Sequence, residues 1–397
     1  MALRGRGLVA AMCIGQVGNL LPHVALPSVL AQYLMPAWGL SAAQGGLMAS
    51  SYAFGYMLAV PFLATLTDRV DARKVLIAGS ALSGLATIGL GLFATGMYSA
   101  MVWWALAGIG FCGAYMPGLK ALSDRLTGGD ISRSVTLYTA SFSFGVGISF
   151  LVSQLAAEAY GWRWAFILTG LGPVVMLSVA AMLESKAPAP VEGKLLDFRP
   201  VFGNRPALGY IFGYGVHCFE LYGLRTWLVA FWTFVVAHHG GQAPVSALVV
   251  SVVVSVVALP ASIFGNELAI RFGRHRAITL VMAISSVTAL AIGLAAGSSP
   301  LLLLALLAVY SVSVPADSGA LTSGMTMSAA PAAKGATMAL HSTVGFGLSA
   351  AGSWAMGAAI DAAGGPGVAG AWTAGFALLC AVGLLGPLSL WWSRRAS

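Results

Sequence analysis

The residues best able to do chemistry lie close together in one apolar stretch, GVHCFELYGLRTW (215–227). A charged side chain at membrane depth costs at least about 2.5–3.5 kcal/mol on insertion scales, so each one needs a partner, a wet cavity or a function. A spacing of three places His217 and Glu220 on one helical face, whereas a spacing of five turns Arg225 about 140° away from Glu220. We expect Glu220 to take up and release a proton, because a carboxyl in low dielectric can be protonated near neutral pH. Arg225 stays cationic and suits a carboxylate in bidentate contact.

Further polar residues interrupt other apolar stretches. Asp317 is the second proton-coupling candidate, and His341 lies at a similar depth in the next stretch. The candidate substrate-binding residues are Arg225, His217, Asn19, His23, Tyr115 and His341. The competing interpretation is structural: an interhelix ion pair for Glu220 and Arg225, and ordinary hydrogen-bonding histidines. Four aromatic residues could stack on a planar substrate or face lipid; they are Trp104, Tyr115, Trp227 and Tyr310.

The elements that carry these residues are predicted to be membrane-spanning helices. The chain has 397 residues, of which 58% are hydrophobic and 8% charged, whereas soluble domains carry about 25% charged residues. The apolar residues come in runs of roughly twenty, the length that crosses about 30 Å of hydrocarbon as a helix. An all-α integral membrane protein is therefore predicted. Its twelve predicted spans are 8–33, 43–65, 75–95, 99–121, 135–157, 164–183, 207–236, 245–268, 278–297, 301–324, 335–359 and 367–391.

One long polar stretch, 184–206, divides these spans into two sets of six. It combines charge with proline and is typical of a linker. The predicted organisation is an N-terminal half (1–183), a cytoplasmic linker (184–206) and a C-terminal half (207–397). Strand-like alternation with turn signals does not recur along the sequence, which disfavours a transmembrane β-barrel.

Basic residues test this map independently, because Lys and Arg accumulate in cytoplasmic loops. With both termini cytoplasmic, 18 of the 20 basic residues fall on the cytoplasmic side. They are Arg4, Arg6, Arg69, Arg73, Lys74, Lys120, Arg125, Arg133, Lys186, Lys194, Arg199, Arg205, Arg271, Arg274, Arg276, Lys334, Arg394 and Arg395. Only Arg163, in an external loop, and Arg225, inside the seventh span, remain. The sequence thus predicts a multi-pass protein of the cell membrane, which is the cytoplasmic membrane in a bacterium.

Several other activities are disfavoured. The net charge of +8 is scattered between apolar runs, which does not favour nucleic-acid binding. The four cysteines show no CxxC spacing, so neither a disulfide framework nor a zinc site is indicated. GIGFCG (108–113) matches a dinucleotide fingerprint in its letters but lies within an apolar span, where close helix packing explains it. No P-loop, metalloprotease or nucleophile-elbow motif is present, and we expect neither an enzyme nor a cofactor.

Two loops carry a resemblance to a known family. LATLTDRVDARKV (63–75) and GNELAIRFGRHRA (265–277) both resemble the loop signature of the major facilitator superfamily, roughly G-x-x-x-D-R-x-G-R-R. The first copy retains Asp68, Arg69 and Arg73; the second has Ile270 in place of the acid. GWRWAF (161–166) is also similar to a stretch common in the superfamily. The resemblance implies two six-helix halves around a central cavity lined by helices 1, 4, 7 and 10. It also implies that Asp68, Arg69 and Arg73 form a conformational latch.

The resemblance and the buried charges together favour a proton-coupled secondary transporter working by alternating access. Its expected partners are a small organic solute, with an anion favoured by Arg225, together with protons and the lipid bilayer; a monomer suffices. A drug or toxicant efflux antiporter is an alternative, although the fifth span lacks the Gly-Pro of that group. A transition-metal importer using His217, Cys218, His341, Met325 and Met327 is another. A non-transporting membrane receptor or enzyme is the last.

Overall fold

The computed structural model describes residues 4–126, 131–188, 197–330 and 333–394. Within these ranges the regular structure is entirely helical, and no strand occurs. A helix satisfies all of its internal backbone N–H and C=O groups within one segment, which the hydrocarbon of a bilayer demands. The prediction of an all-helical membrane protein is therefore confirmed.

The helices follow the twelve predicted spans closely, and the spans keep those numbers below. Span 1 is divided into the helices Gly5–Leu20 and Ala25–Val29, a π-helical turn Leu30–Leu34 and the short helix Met35–Trp38. Spans 2 to 6 are Ala42–Leu66, Ala72–Phe93, Met97–Arg125, Ile131–Tyr160, and the pair Trp162–Gly170 and Pro173–Ala181. A short helix, Arg199–Phe202, precedes span 7. Spans 7 to 12 are Arg205–His238, Ala247–Phe272, Arg274–Leu294, the pair Pro300–Ala316 and Ser318–Ser328, Lys334–Ala362, and the pair Ala369–Gly383 and Leu385–Arg394.

Most of these helices are suited to a bilayer by length and composition. Within the part of the chain that the structure describes, nine helices are long and apolar enough to cross a membrane. The number rises to ten if the two parts of span 1, bent by 44° at their break, count as one. Spans 7 and 11 are also long enough, at 34 and 29 residues, but they carry more polar and small residues. Spans 7 and 11 therefore fall outside this count because of their composition and not because of their length.

Large apolar side chains are exposed along the helices, as expected of a surface that meets lipid. Phe62, Leu85, Val287 and Leu301 are each more than 60% exposed. A soluble monomer rarely displays apolar patches on this scale. The polar candidates His217, Glu220 and Asp317 are buried instead.

The chain divides into two compact units. The first comprises Met1–Val29 and Ser51–Leu196, and the second comprises Leu30–Ser50 and Asp197–Ser397. In the first unit, small residues let backbones approach closely. A Cβ atom added to Gly108 would overlap the Tyr52 carbonyl, and one added to Gly110 would overlap the backbone of Ser83. Close helix packing therefore explains the GIGFCG sequence.

The second unit is built around span 7, which packs against spans 11 and 12. Span 7 begins at Arg205 because Asn204 caps it, accepting a hydrogen bond from the Ala207 N–H, and Pro206 occupies the first turn. Trp227 and Trp232 of this helix are almost fully buried. Burial on several sides fixes the orientation of the helix and thus of its polar residues.

Candidate functional site

A buried contact between a histidine and a carboxyl group joins spans 7 and 10 in the second unit. Nδ1 of His217 lies 2.6 Å from Oδ1 of Asp317, and both side chains are less than 5% exposed. The approach lies outside the angles of a regular hydrogen bond. Asp317 follows Pro315 and occupies the break between the two helices of span 10. The break therefore places a carboxylate opposite a histidine in the interior of the protein.

Glu220 lies one turn further along span 7 and has different partners. The Ser285 hydroxyl, on span 9, donates a hydrogen bond of 3.1 Å to Oε2 of Glu220. Tyr310, on span 10, lies within interaction range of the same carboxyl. Gly383 of span 12 lies beside the same carboxyl: a Cβ atom there would be in ordinary contact with Oε2 of Glu220, at 3.5 Å, but would overlap the Ser286 hydroxyl. Glu220 is thus enclosed by hydroxyl groups, whereas Asp317 faces an imidazole.

Aromatic stacking holds a second histidine beside this pair. The rings of Tyr214 and His341 stack with centroids 3.9 Å apart, and Tyr214 also stacks on His217 at 5.7 Å. Nε2 of His341 lies 3.5 Å from the Thr322 hydroxyl. The predicted residues His217, Glu220, Asp317 and His341 therefore lie in one buried neighbourhood of the second unit.

Arg225 is held differently from the other predicted residues. Its guanidinium lies over the Tyr222 ring, 5.1 Å from the centroid. Its Nη1 atom is buried and has no hydrogen-bond partner among the described residues. Arg225 is also within electrostatic range of His217. A buried guanidinium nitrogen that lacks an acceptor suits an incoming carboxylate.

The first unit holds an aromatic cluster in place of buried charges. His23 packs against Tyr52, Phe111 and Phe142, with ring centroids 5.1 to 5.3 Å apart, and its Nδ1 lies 3.3 Å from the Tyr52 hydroxyl. Tyr115 stacks on Phe111 at 5.7 Å. His23 and Tyr115, both predicted from the sequence, are therefore part of the same cluster.

Polar groups of span 1 border this cluster. The Tyr138 hydroxyl, on span 5, donates to Oε1 of Gln16 over 2.8 Å, and the Tyr138 ring stacks on Tyr115 at 6.4 Å. Asn19 is fully buried, and neither of its amide atoms has a hydrogen-bond partner among the described residues. An amide in this state costs stability unless something binds it. Asn19 was predicted as a substrate-binding residue; Gln16 and Tyr138 were not.

A third polar group lies in the first unit where span 3 begins and span 4 ends. Asp71 caps span 3, accepting from the Arg73 N–H, and accepts two bonds from Arg125 at 3.0 and 3.1 Å. It also accepts from the Lys186 N–H at 2.8 Å. Burial raises the pKa of Asp71, but the backbone bonds from Lys186 and Arg73 and the Arg125 charge outweigh this and lower the pKa below its ordinary value. Asp71 therefore ties the start of the linker to two helix ends.

The predicted latch residues lie around this group. Arg73 donates to the carbonyls of Ala180 and Ala181 at the end of span 6. Asp68 is half-buried and Arg69 exposed, and no ion pair to either is found among the described residues. Among the described acids of this loop, Asp71 forms an ion pair, and its partner is Arg125 at the end of span 4. In the signature, glycine occupies the position of Asp71. In the second copy of the loop that position is Gly273, whose φ of 90° favours glycine.

Metal ligands do not converge in the described ranges. No group of three or more His, Cys, Asp or Glu residues there could hold a metal ion. His217, Cys218 and His341 lie in the same unit, but Asp317 and Tyr214 are the close neighbours of the two histidines.

Comparison with known proteins gives a consistent result. A model of the Major Facilitator Superfamily matches residues 12–353. The chain is 30% identical over 156 residues to the gallate transporter of Pseudomonas putida, a match that covers 39% of this chain and 34% of that protein. It is 26% identical over 243 residues to the uncharacterized MFS-type transporter YcaD of Salmonella arizonae, covering 56% of this chain and 60% of that one. The matched regions thus span less than two thirds of either relative.

Solved structures resemble the chain over nearly its whole length. The nucleoside transporter NupG has a TM-score of 0.77 at 16% identity, covering 97% of this chain and 99% of that one. A bacterial homologue of the human lysosomal transporter Spinster, inward-facing and unoccupied, has a TM-score of 0.73 at 17% identity, covering 98% and 95%. At this identity the likeness shows the fold alone. The predicted all-α integral membrane fold of the major facilitator type is confirmed.

Proposed function

Because the chain belongs to the Major Facilitator Superfamily, we propose that it is a secondary transporter that couples the movement of a small organic anion to protons. Alternating access is the proposed mechanism. The buried His217–Asp317 pair, with Glu220 on the same helix, is the observation that carries this proposal. Charged groups in the middle of membrane helices are costly and mark ion or substrate pathways in membrane proteins.

The two carboxyls have partners suited to different tasks. Asp317 faces His217, so a proton shared by these two groups can change sides without leaving an isolated charge. Glu220 accepts from Ser285, a bond that a carboxylate and a protonated carboxyl can both keep. We propose that Glu220 takes up and releases the coupled proton and that Asp317 and His217 respond to its charge. Coupling then follows because each protonation state favours a different conformation.

Arg225 supports an anionic solute. Its Nη1 atom is buried without an acceptor among the described residues, and its cationic charge has no carboxylate within ion-pair distance there. A carboxylate of the solute would satisfy the guanidinium in bidentate contact. The partial likeness to a gallate transporter agrees with this class, since gallate is an aromatic carboxylate.

The aromatic cluster of the first unit supports a planar solute. The Tyr115 ring is partly exposed and stacks on the fully buried rings of Phe111 and Tyr138, and the Asn19 amide supplies hydrogen-bonding groups on span 1. Aromatic rings stabilise one another in stacked or edge-on arrangements by about 0.5–1.5 kcal/mol beyond area burial. We propose His23, Asn19 and Tyr115 as substrate contacts on this unit.

The location and the latch complete the proposal. We propose a multi-pass protein of the cell membrane with both termini cytoplasmic, because 18 of 20 basic residues then lie on the cytoplasmic side. We also propose that the monomer is the functional unit. Asp68, Arg69 and Arg73 remain the proposed latch, to which the structure adds Asp71 and Arg125 as neighbours. The bonds from Arg73 to the end of span 6 support this role.

The decisive experiment measures solute-driven proton movement. Purified protein in liposomes that contain a pH-sensitive dye is challenged with gallate, other aromatic and aliphatic carboxylates, and nucleosides. We expect a carboxylate to drive proton flux in the wild type, and Glu220→Gln to abolish that flux because the amide cannot be protonated. Binding of the same solute, followed by its shift of the thermal unfolding temperature, is expected to survive in Glu220→Gln.

The matched control is Glu267→Gln, an exposed acid on span 8 that pairs with Arg271 at the helix surface. Wild-type flux is expected in this variant, because the charge is outside the buried cluster. If Glu220→Gln transports with unchanged pH dependence, the coupling assignment is wrong. If nucleosides but no carboxylates drive flux, the anionic solute is wrong while proton coupling stands.

A further inference from the structure

The helix of span 2 begins with an unusually complete set of hydrogen bonds. The Ser41 N–H donates to Oε1 of Gln44 at 3.0 Å, and the Gln44 N–H donates to the Ser41 hydroxyl at 3.3 Å. This reciprocal pair is a capping box. It leaves the N–H groups of Ala42 and Ala43 without an acceptor in their own helix, because the first turn offers none.

Asp361 supplies the two missing acceptors. Its Oδ1 accepts from the Ala42 N–H at 2.8 Å, and its Oδ2 accepts from the Ala43 N–H at 2.6 Å. Asp361 lies in the last turn of span 11, more than 300 residues further along the chain. Bonds to an ionised acceptor are roughly twice as strong as neutral ones, and an anion is favoured at a helix N-terminus. A distant carboxylate therefore completes this helix start.

Glycines bring the two helices close enough for this contact. A Cβ atom on Gly46 would lie 2.6 Å from the Ser353 carbonyl oxygen, and one on Gly357 would overlap the Ala42 carbonyl and lie 2.6 Å from the Trp227 ring. The same Ser353 carbonyl accepts from the Trp227 indole N–H at 3.0 Å. The start of span 2 is thus seated directly on spans 7 and 11.

The segment around this contact has a distinctive place in the chain. Leu30–Ser50 belongs to the second compact unit, although Val29 and Ser51 on either side belong to the first. Apart from Asp361, a bond of 2.9 Å from the Gln32 amide to the Thr233 hydroxyl also attaches it. A side-chain amide–hydroxyl bond is weaker than two charge-assisted bonds. Asp361 is therefore the strongest polar attachment described for this segment.

We propose that Asp361 forms a second latch, distinct from that of Asp68, Arg69 and Arg73. It holds the Leu30–Ser50 segment on spans 7 and 11 by capping the N-terminus of span 2. Release of this cap frees the segment from the second unit. In the proposed topology, with both termini cytoplasmic, this end of span 2 lies on the outer side of the membrane. Only this last step rests on the proposed function; the capping contact stands without it.

Hydrogen exchange of the backbone tests the latch directly. The Ala42 and Ala43 N–H groups have no acceptor within their helix, so their protection in purified protein reports on Asp361. We expect exchange in a peptide covering Leu40–Gln44 to accelerate about tenfold in Asp361→Ala, the loss of a cap worth about 1.4 kcal/mol. Asp361→Asn keeps one acceptor and is expected to give an intermediate rate. Gly357→Ala is expected to accelerate exchange as well, because its methyl group pushes the Ala42 backbone away.

The matched control is Gly370→Ala, a helical glycine of the same unit whose added Cβ would meet nothing within 4 Å. Wild-type exchange is expected there. Exchange rates of the Leu40–Gln44 peptide within twofold of wild type in both Asp361→Ala and Gly357→Ala would show that Asp361 does not hold this segment. If Asp361→Ala does not fold, wild-type rates in both Asp361→Asn and Gly357→Ala would overturn the Asp361 latch equally. Glu220→Gln is expected to leave this exchange unchanged, so the latch and proton coupling can fail separately.

Discussion

The two compact units bury polar groups in opposite ways. In the first unit, every Asp, Glu, Lys and Arg of the described membrane helices lies within six residues of a helix end, and the interior polar side chains are amides, hydroxyls, thiols and the imidazole of His23. In the second unit, Glu220 and Arg225 lie near the middle of a helix of 34 residues, and Asp317 interrupts span 10. One unit thus resembles a conventional membrane core with aromatic contacts, and the other carries ionisable groups at depth.

This difference separates two tasks that a transporter must combine. Neutral amide and aromatic groups bind a solute without responding to pH, because they do not titrate in the physiological range. Buried acids and histidines respond to protons but cost stability unless they are paired. In the proposed mechanism, placing the buried acids in one unit lets the amide and aromatic groups of the other keep their affinity for the solute while protons bind and leave. Substituting one polar residue at a time in each unit tests this division between solute binding and proton binding.

The largest effect is expected from Asp317→Asn. The change leaves His217 facing an amide in place of a carboxylate, and breaking a buried pair costs about 3–5 kcal/mol. We expect the thermal unfolding temperature to fall by several degrees and proton-coupled transport to be lost. The double variant with His217→Gln is expected to recover part of the stability but none of the coupling, because two neutral amides can bond to each other. If Asp317→Asn unfolds at the wild-type temperature, the pair does not contribute to stability.

A smaller effect is expected from Asp71→Asn, which tests the charges that the first unit keeps at its helix ends. The environment of Asp71 lowers its pKa, so its contribution to stability is complete above the unfolded value of about 3.9 and disappears as pH falls through the folded value. Two bonds from Arg125 are affected, and hydrogen bonds to charged groups contribute about 1.5–3 kcal/mol each.

Unfolding in denaturant at pH 7 and at about pH 3 measures this contribution. The variant is expected to be less stable than wild type at pH 7, and the gap is expected to narrow at the lower pH. Asp68→Asn is the matched control within the same loop. If Asp68→Asn causes the larger loss at pH 7, the charge contact of this loop depends on Asp68 and the emphasis on Asp71 is misplaced.

The membrane spans were predicted well because the length of an apolar run determines where a membrane-spanning helix begins and ends. The predicted spans 43–65 and 207–236 compare with Ala42–Leu66 and Arg205–His238 in the structure. Buried charges such as Glu220 were also visible, since few charged residues interrupt an apolar run. The breaks within spans 6 and 12 were not predicted, because a bend leaves composition unchanged.

Partners were much harder to predict than positions. The sequence predicted that Asp317 and His341 lie at similar depth but not which residues they contact; Asp317 contacts His217, and His341 stacks on Tyr214. Ser285 and Tyr138 are ordinary residues of apolar spans, and only their contacts give them a role. Ser41 and Gln44 mark a helix start that can be recognised from the sequence, but the bonds from the Ala42 and Ala43 N–H groups to Asp361 join residues more than 300 positions apart. Contacts over such separations depend on packing that a local pattern does not contain.

A smaller effect still is expected from Tyr138→Phe in the first unit. The change removes the 2.8 Å bond to Gln16 and leaves a buried amide oxygen unpaired, which costs about 1–3 kcal/mol. The stacking on Tyr115 is retained by the phenyl ring. We expect weaker solute binding or lower stability with an unchanged pH profile of transport. A shifted pH profile would show that the first unit also takes part in proton coupling.

The smallest effect, and one of opposite sign, is expected from Asn19→Leu. Asn19 is fully buried, and neither amide atom has a partner among the described residues, so an apolar side chain of similar size removes a desolvation cost. We expect unfolding to become harder by up to about 1 kcal/mol, while the solute no longer raises the unfolding temperature. Asn19→Gln, which keeps the amide, serves as the control and is expected to retain part of the solute response. A less stable Asn19→Leu variant would show that the amide is already satisfied within the fold, and the first unit would then bind solute through its aromatic rings alone.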